Sequence, residues 1–217
     1  MTKFNFDIVL LEQGDIYFFF KPKKDVTKMN AVKDISRFYF VLQPQIGRSR
    51  FIVMGGKQMP TLSDGGKKSW GFVQKIGGRG FYSTKEGHVN KSSARPAGEG
   101  IYALVSHDDH AHLAYSLELP ARLGQVQKEL HIYREGNYIF IVRPPEGIRK
   151  VFEPVHPGNL EQEGANIMLI GVNGDLSKIG LKANKDKETE QTADIFNQLH
   201  MDKSRHPTKP LFKGKWE

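Results

Sequence analysis

Three groups of residues in this chain have types and spacings that could do chemistry. The first is Ser106-His107-Asp108-Asp109-His110-Ala111-His112, which sets three of the eight histidines within six positions. If Asp108-Asp109 is a two-residue turn, His107 lies opposite His110 and Val105 opposite His112. Opposed residues and alternate residues share a strand face, so all three imidazoles then point to one side. Tyr102, Leu104, Leu113, Tyr115 and Leu117 fill the other side. Neutral imidazoles gathered beside a carboxylate are a nitrogen donor set for a divalent ion such as zinc. An open coordination position would make the group a hydrolytic centre. The competing reading is a polar hairpin tip in water, since Asp-Asp is not a favoured hairpin turn.

The second group runs from Gly55 to Gly98. Gly55-Gly56-Lys57, Gly65-Gly66-Lys67-Lys68 and Gly77-Gly78-Arg79-Gly80 each pair glycine with a cation. Glycine lets backbone N–H groups approach a phosphate, and the cation neutralises it. None of the three has Walker A or dinucleotide spacing. Lys57, Lys67, Lys68, Arg79, Lys85, Lys91 and Arg95 are the candidate anion-binding residues. Trp70, Phe72 and Tyr82 interleave with them as candidate stacking surfaces, a combination suited to single-stranded nucleic acid. Alternatively, the aromatics enter the core and the glycines only turn hairpins. The third group is the tail: Lys203, Arg205, Lys209, Lys213 and Lys215 surround Leu211, Phe212 and Trp216. Exposed Trp and Phe are unfavourable there, so docking on the chain's own body is expected.

The charge is uneven along the chain. Residues 1–98 hold 17 Lys/Arg against 7 Asp/Glu, and residues 99–217 hold 15 against 17, within a net charge of +8. A basic half of this kind attracts polyanions. Cysteine is absent, which excludes disulfides, thiolate metal sites and a cysteine nucleophile. No Gly-x-Ser-x-Gly elbow occurs, and no carboxylate pair stands out as acid and base. No apolar run reaches the ~20 residues of a membrane span, and Met1–Phe6 lacks signal-peptide features. A soluble, cytoplasmic protein is expected.

The elements that must position these residues read mainly as strands. Runs at 6–11 and 16–20 flank Glu12-Gln13-Gly14-Asp15, read as a turn. Further strands are expected at 38–42, 50–54, 70–76, 101–107, 110–119, 137–143 and 165–172. Residues 122–132 place Leu123, Val126 and Leu130 at helical spacing, and 187–200 is the best helix candidate. Residues 204–217 read as an extended tail. A faint echo relates Gly14-Asp15-Ile16-Tyr17 and Phe38–Pro44 to Gly100-Ile101-Tyr102 and Tyr138–Pro144.

The expected fold is α+β. It has a predominantly antiparallel β body able to close into a barrel, a weak internal duplication, one short helix in the second half, and a C-terminal helix plus extended tail. The division is a basic β-rich half at 1–98 and an α+β half at 99–217, with a soft boundary that a single domain could erase. The leading functional expectation is a binding protein for nucleic acid or a phosphorylated ligand through the basic loops. The alternatives are a metal-dependent hydrolase or other metal protein on His107, His110 and His112, and a protein-interaction module without chemistry.

Overall fold

The computed structural model describes residues 8–26, 28–63, 67–78, 94–107, 109–145, 151–173, 176, 181, 189, 192–199, 201 and 206–216. Among the described residues are nine strands: β1 (Val9–Pro22), β2 (Ile35–Pro44), β3 (Ser49–Met54), β4 (Lys68–Gly77), β5 (Arg95–His107), β6 (His110–Leu119), β7 (Glu135–Arg143), β8 (Glu153–Pro154) and β9 (Asn166–Gly171). The helices α1 (Gln125–Glu129), α2 (Asp194–Gln198) and α3 (Lys209–Lys213) are short. The body is therefore mostly antiparallel β, with less helix than an α+β reading implies. No helix among the described residues is long and apolar enough to cross a membrane.

Eight of the strands close into a barrel in the order β1-β2-β3-β4-β9-β7-β6-β5 and back to β1, every pairing antiparallel. β8 adds two residues to the side of β7. Strands from both sides of residue 98 complete the one ring. β1 to β4 precede that residue, β5 runs across it and β6, β7 and β9 follow, and β1 and β5 lie against one another about the Asp15–Ile101 pair. Gly14 and Gly100 take matching places. A Cβ on Gly14 would sit 2.1 Å from the Gln43 carbonyl oxygen, and one on Gly100 would sit 2.2 Å from that of Ser116. The rest of the echo does not align in this way, because Phe38–Pro44 is in a second strand and Tyr138–Pro144 overlaps a third.

Alternation along each strand sorts the side chains. Phe18, Phe20, Phe38, Phe40, Ile52, Val73, Tyr102, Leu113, Tyr115, Tyr138, Phe140 and Leu169 belong to one buried cluster drawn from all eight strands. That cluster is the barrel interior, and an eight-stranded ring is just wide enough for side chains to fill it. Tyr17, Phe19, Tyr39, Val41, Phe51 and Val53 alternate with it and face outward. Ile195, Phe196, Leu199 and Leu211 cover them. The Glu99 carboxylate accepts the backbone N–H groups of Asp194 and Ile195 at 2.8 and 3.0 Å, tying α2 to β5. The C-terminal segment thus docks on the chain's own body. It is not fully extended, because α3 forms within it.

β1 corrects a second expectation. Glu12-Gln13-Gly14-Asp15 is not a turn but the middle of a 14-residue strand. Glu12 points inward, where its Oε1 accepts from Arg50 Nη1 at 2.5 Å and from the Tyr102 hydroxyl at 2.6 Å. Arg50 Nη2 and Nε donate to Glu161 Oε1 at 2.8 and 3.0 Å. Burial works against the Arg50 charge, but the bonds to Glu12 more than offset it, and the net shift of its pKa is upward. Burial likewise holds the Tyr102 phenol well above its ordinary value, so it stays a donor.

Removing one partner of such a pair leaves a buried charge uncompensated. Arg50→Met is expected to lower unfolding free energy by about 3–5 kcal/mol in urea titrations. Glu161→Gln should cost less, since that side chain is 28% exposed. Wild-type stability in Arg50→Met would disprove the assignment.

Candidate functional site

The hairpin joining β5 to β6 has the register its sequence suggests: His107 pairs with His110 and Val105 with His112. Tyr102, Leu104, Leu113, Tyr115 and Leu117 turn into the barrel. The histidine face is therefore the outer one. The His107 and His112 rings stack with centroids 4.8 Å apart, and their Nε2 atoms approach to 3.1 Å. Asn137 on β7 lies beside them, its Oδ1 2.8 Å from His112 Nδ1. An amide oxygen only accepts, so His112 Nδ1 carries the proton and its Nε2 is the acceptor for His107 Nε2–H. Burial lowers the His112 pKa, and the charges of His107 and His110 add to the effect.

His110 stays close to this pair, its ring stacked against that of His107 with centroids 6.3 Å apart. Its Nδ1 is 2.5 Å from Asp109 Oδ1, and both side chains are exposed. The ring nitrogens of His107 and His112 are thus brought together, while His110 directs its Nδ1 to the neighbouring Asp109. Among the described residues, no group of three or more His, Asp or Glu is arranged to hold a metal ion.

The histidine face is continuous with that of Trp70. Lys68, Trp70 and Phe72 on β4 lie opposite Ile170, Met168 and Asn166 on β9. These lie opposite Ile139, Ile141 and Arg143 on β7, and Ile139 lies opposite His112. Opposed residues share a face, so one outer surface runs from Lys68 to His112 across three strand spacings, about 14 Å. Trp70 is 49% exposed and Phe72 is 40% exposed. Phe152 packs edge-on to Trp70 at 5.2 Å, and the Arg143 guanidinium lies over the Phe152 ring at 5.0 Å. Between this stack and the hairpin is a hollow of about 200 Å³, lined by Asp109, His110, Ile139, Ile141, Phe152 and Pro154 among others.

The anion-binding candidates are scattered. Lys67 and Lys68 are exposed at the start of β4, beside Trp70. Lys57 lies on the β3–β4 connection, where its Nζ donates to the Lys33 carbonyl at 3.3 Å. Arg95, at 7% exposure, is buried at the start of β5 and so lies off the exposed surface. Arg79, Tyr82, Lys85 and Lys91 lie outside the described residues, as does Asp108. Sequence reasoning missed Phe152 and Arg143. Arg143 carried a weak signal, an alternating strand that ends in a cation before Pro144. Phe152 carried none, since its neighbours read as connector.

Comparison with protein-family models, with curated proteins and with solved structures finds no match to this chain.

The His112 environment sets a pH dependence. A histidine whose folded pKa is depressed binds its proton more readily unfolded. Its contribution to stability is complete above the unfolded value of about 6.5 and declines as pH falls from there toward the folded value. Urea unfolding at pH 7.5 and 5.5 should show wild type losing stability at the lower pH. His112→Gln should lose less, and equal losses would contradict the assignment.

Proposed function

We propose that this protein binds single-stranded nucleic acid across the outer face of β4, β9 and β7. The observation that carries the reading is the half exposure of Trp70 and Phe72 at successive outward positions of one strand. Water-exposed aromatics at adjacent outward positions are costly as ornament but useful as stacking platforms for bases. Lys67 and Lys68 precede them, Lys75 follows on the same strand, and Arg143 reaches the neighbouring ring. Cations at this spacing fit a phosphate backbone, and the excess positive charge of residues 1–98 has the sign that steers a polyanion inward. The shallow hollow beside Phe152 gives room for a base edge rather than a buried ligand.

Fluorescence anisotropy with a labelled oligothymidylate, followed from 50 to 200 mM salt, tests this reading. Binding should weaken steeply with salt. Trp70→Ala should weaken it about 5- to 150-fold, the effect of losing about 1–3 kcal/mol of stacking. Lys67→Gln with Lys68→Gln should flatten the logarithmic salt slope by about 1.4, at roughly 0.7 per phosphate contact. Absence of binding at 50 mM salt, or binding indifferent to Trp70→Ala, would reject it.

A second reading is favoured by one distance. Two imidazole nitrogens on a single zinc ion stand about 3.3 Å apart, given ligand bonds of about 2.0 Å and a tetrahedral angle. His107 and His112 present theirs at 3.1 Å. His112 also directs its second ring nitrogen at the Asn137 oxygen, the kind of outer contact that orients a ligating histidine. Zinc titration of metal-free protein at pH 7.5 should then show saturable uptake that His107→Ala abolishes. Uptake unchanged by that substitution, or no uptake, would remove this reading.

A further inference from the structure

A second hollow, of about 540 Å³, shares no lining residue with the one beside the histidines. It opens at the end of the barrel where β1 finishes and β2 begins. Lys28 enters it from the β1–β2 connection, and Lys209, Lys213 and Lys215 enter from the C-terminal segment. Trp216 forms part of the wall. Among the described residues, no carboxylate lines the hollow. Of the described acids on adjoining elements, Asp34 accepts the backbone N–H groups of Asn30 and Ala31, Glu129 accepts from Gln125 Nε2 at 2.8 Å, and Asp25 is exposed on the β1–β2 connection but does not line the hollow. None of the four lysines makes an ion pair among the described residues.

The lysines are mounted on a fixed frame. Val126 N–H donates to the Gly214 carbonyl at 3.0 Å, and Gln127 Nε2 donates to the carbonyls of Ala97 and Pro210 at 2.7 and 2.9 Å. Leu211 is fully buried, and Trp216 meets Phe20 edge-on at 5.4 Å. Gly214 takes the left-handed conformation at φ 59°, which lets the chain turn back against Gly124. Lys209 and Lys213, four apart on α3, share a side of the helix, an arrangement of like charges that destabilises a helix on its own. Lys28 approaches the same space from a segment about 180 residues earlier in the chain. A concave wall with charge of one sign focuses the field into its opening.

We propose that this hollow is an anion site for a small, multiply phosphorylated molecule. Four cations around one concavity call for several negative charges in a small volume, which a polyphosphate supplies. Trp216 is only 6% exposed, so it offers no face on which a base could stack. That separates this site from the Trp70 surface and favours phosphate over nucleobase. The Trp216 indole nitrogen is itself buried and without a hydrogen-bond partner among the described residues, so the lysines carry the recognition.

The chain has two tryptophans, so Trp70→Phe leaves Trp216 as the only reporter. Sodium tripolyphosphate titrated into that variant at low salt should change Trp216 emission saturably, with one site by calorimetry. Adding Lys213→Gln and Lys215→Gln should weaken binding at least tenfold without changing the melting temperature appreciably. Lys23→Gln with Lys24→Gln, outside the hollow, should leave the affinity within about twofold. No binding at low salt, or equal losses from the two lysine pairs, would overturn the proposal, the latter by showing diffuse charge attraction only.

Discussion

Closure of the ring is the constraint on which the other features depend. β1 must meet β5 and β4 must meet β9, and both pairings join segments far apart in sequence. Once they meet, inward positions share one volume fixed by the strand number, and their side chains must fill it. The aromatic density of β1 and β2 follows from this, as do the glycines where strands crowd. So does the inward Glu12. At the end of the ring where β1 starts and β3 begins, the carboxylate meets Arg50 and Tyr102 from two other strands, so charge and hydrogen bonds finish what apolar packing does elsewhere.

The outside of the ring is divided by what covers it. The outward aromatics of β1, β2 and β3 lie beneath the C-terminal helices and form a second core. The outward residues of β4 and the neighbouring end of β7 remain accessible, with Trp70, Phe72 and Arg143 among them. The same alternation therefore yields a buried aromatic face on one side and an open one on the other. Chain segments outside the barrel decide which becomes which.

This division explains what could be read in advance. The strand at 110–119 and the pairing of His107 with His110 were legible, because alternation and a two-residue turn define both. The short amphipathic helix after Pro120 was legible from Val126 and Leu130, although only five of its residues are helical. Glu12-Gln13-Gly14-Asp15 misled, since composition alone cannot distinguish a turn from a strand whose polar side chain is paired inside. That pairing depends on Arg50, 38 positions away. The fate of the outward aromatics was equally hidden: Tyr39 and Trp70 sit on similar strands, and only the cover that α2 and α3 give the first separates them. Trp70 was identifiable as a stacking candidate, but Phe152 against it and Arg143 over Phe152 come together only through the β4–β9, β9–β7 and β7–β8 pairings.

Each of the eight barrel strands has a neighbour on both sides. Their backbone N–H and C=O groups are largely spent within the ring, and where β7 runs past β6 the two residues of β8 take up the pairing, so among the described residues the barrel leaves little border to which an extended peptide could add. Recognition by main-chain pairing is thereby restricted to the short stretch at β8, and so is the commonest route by which β proteins stack on copies of themselves. Everywhere else, what this barrel recognises it reads through its side chains.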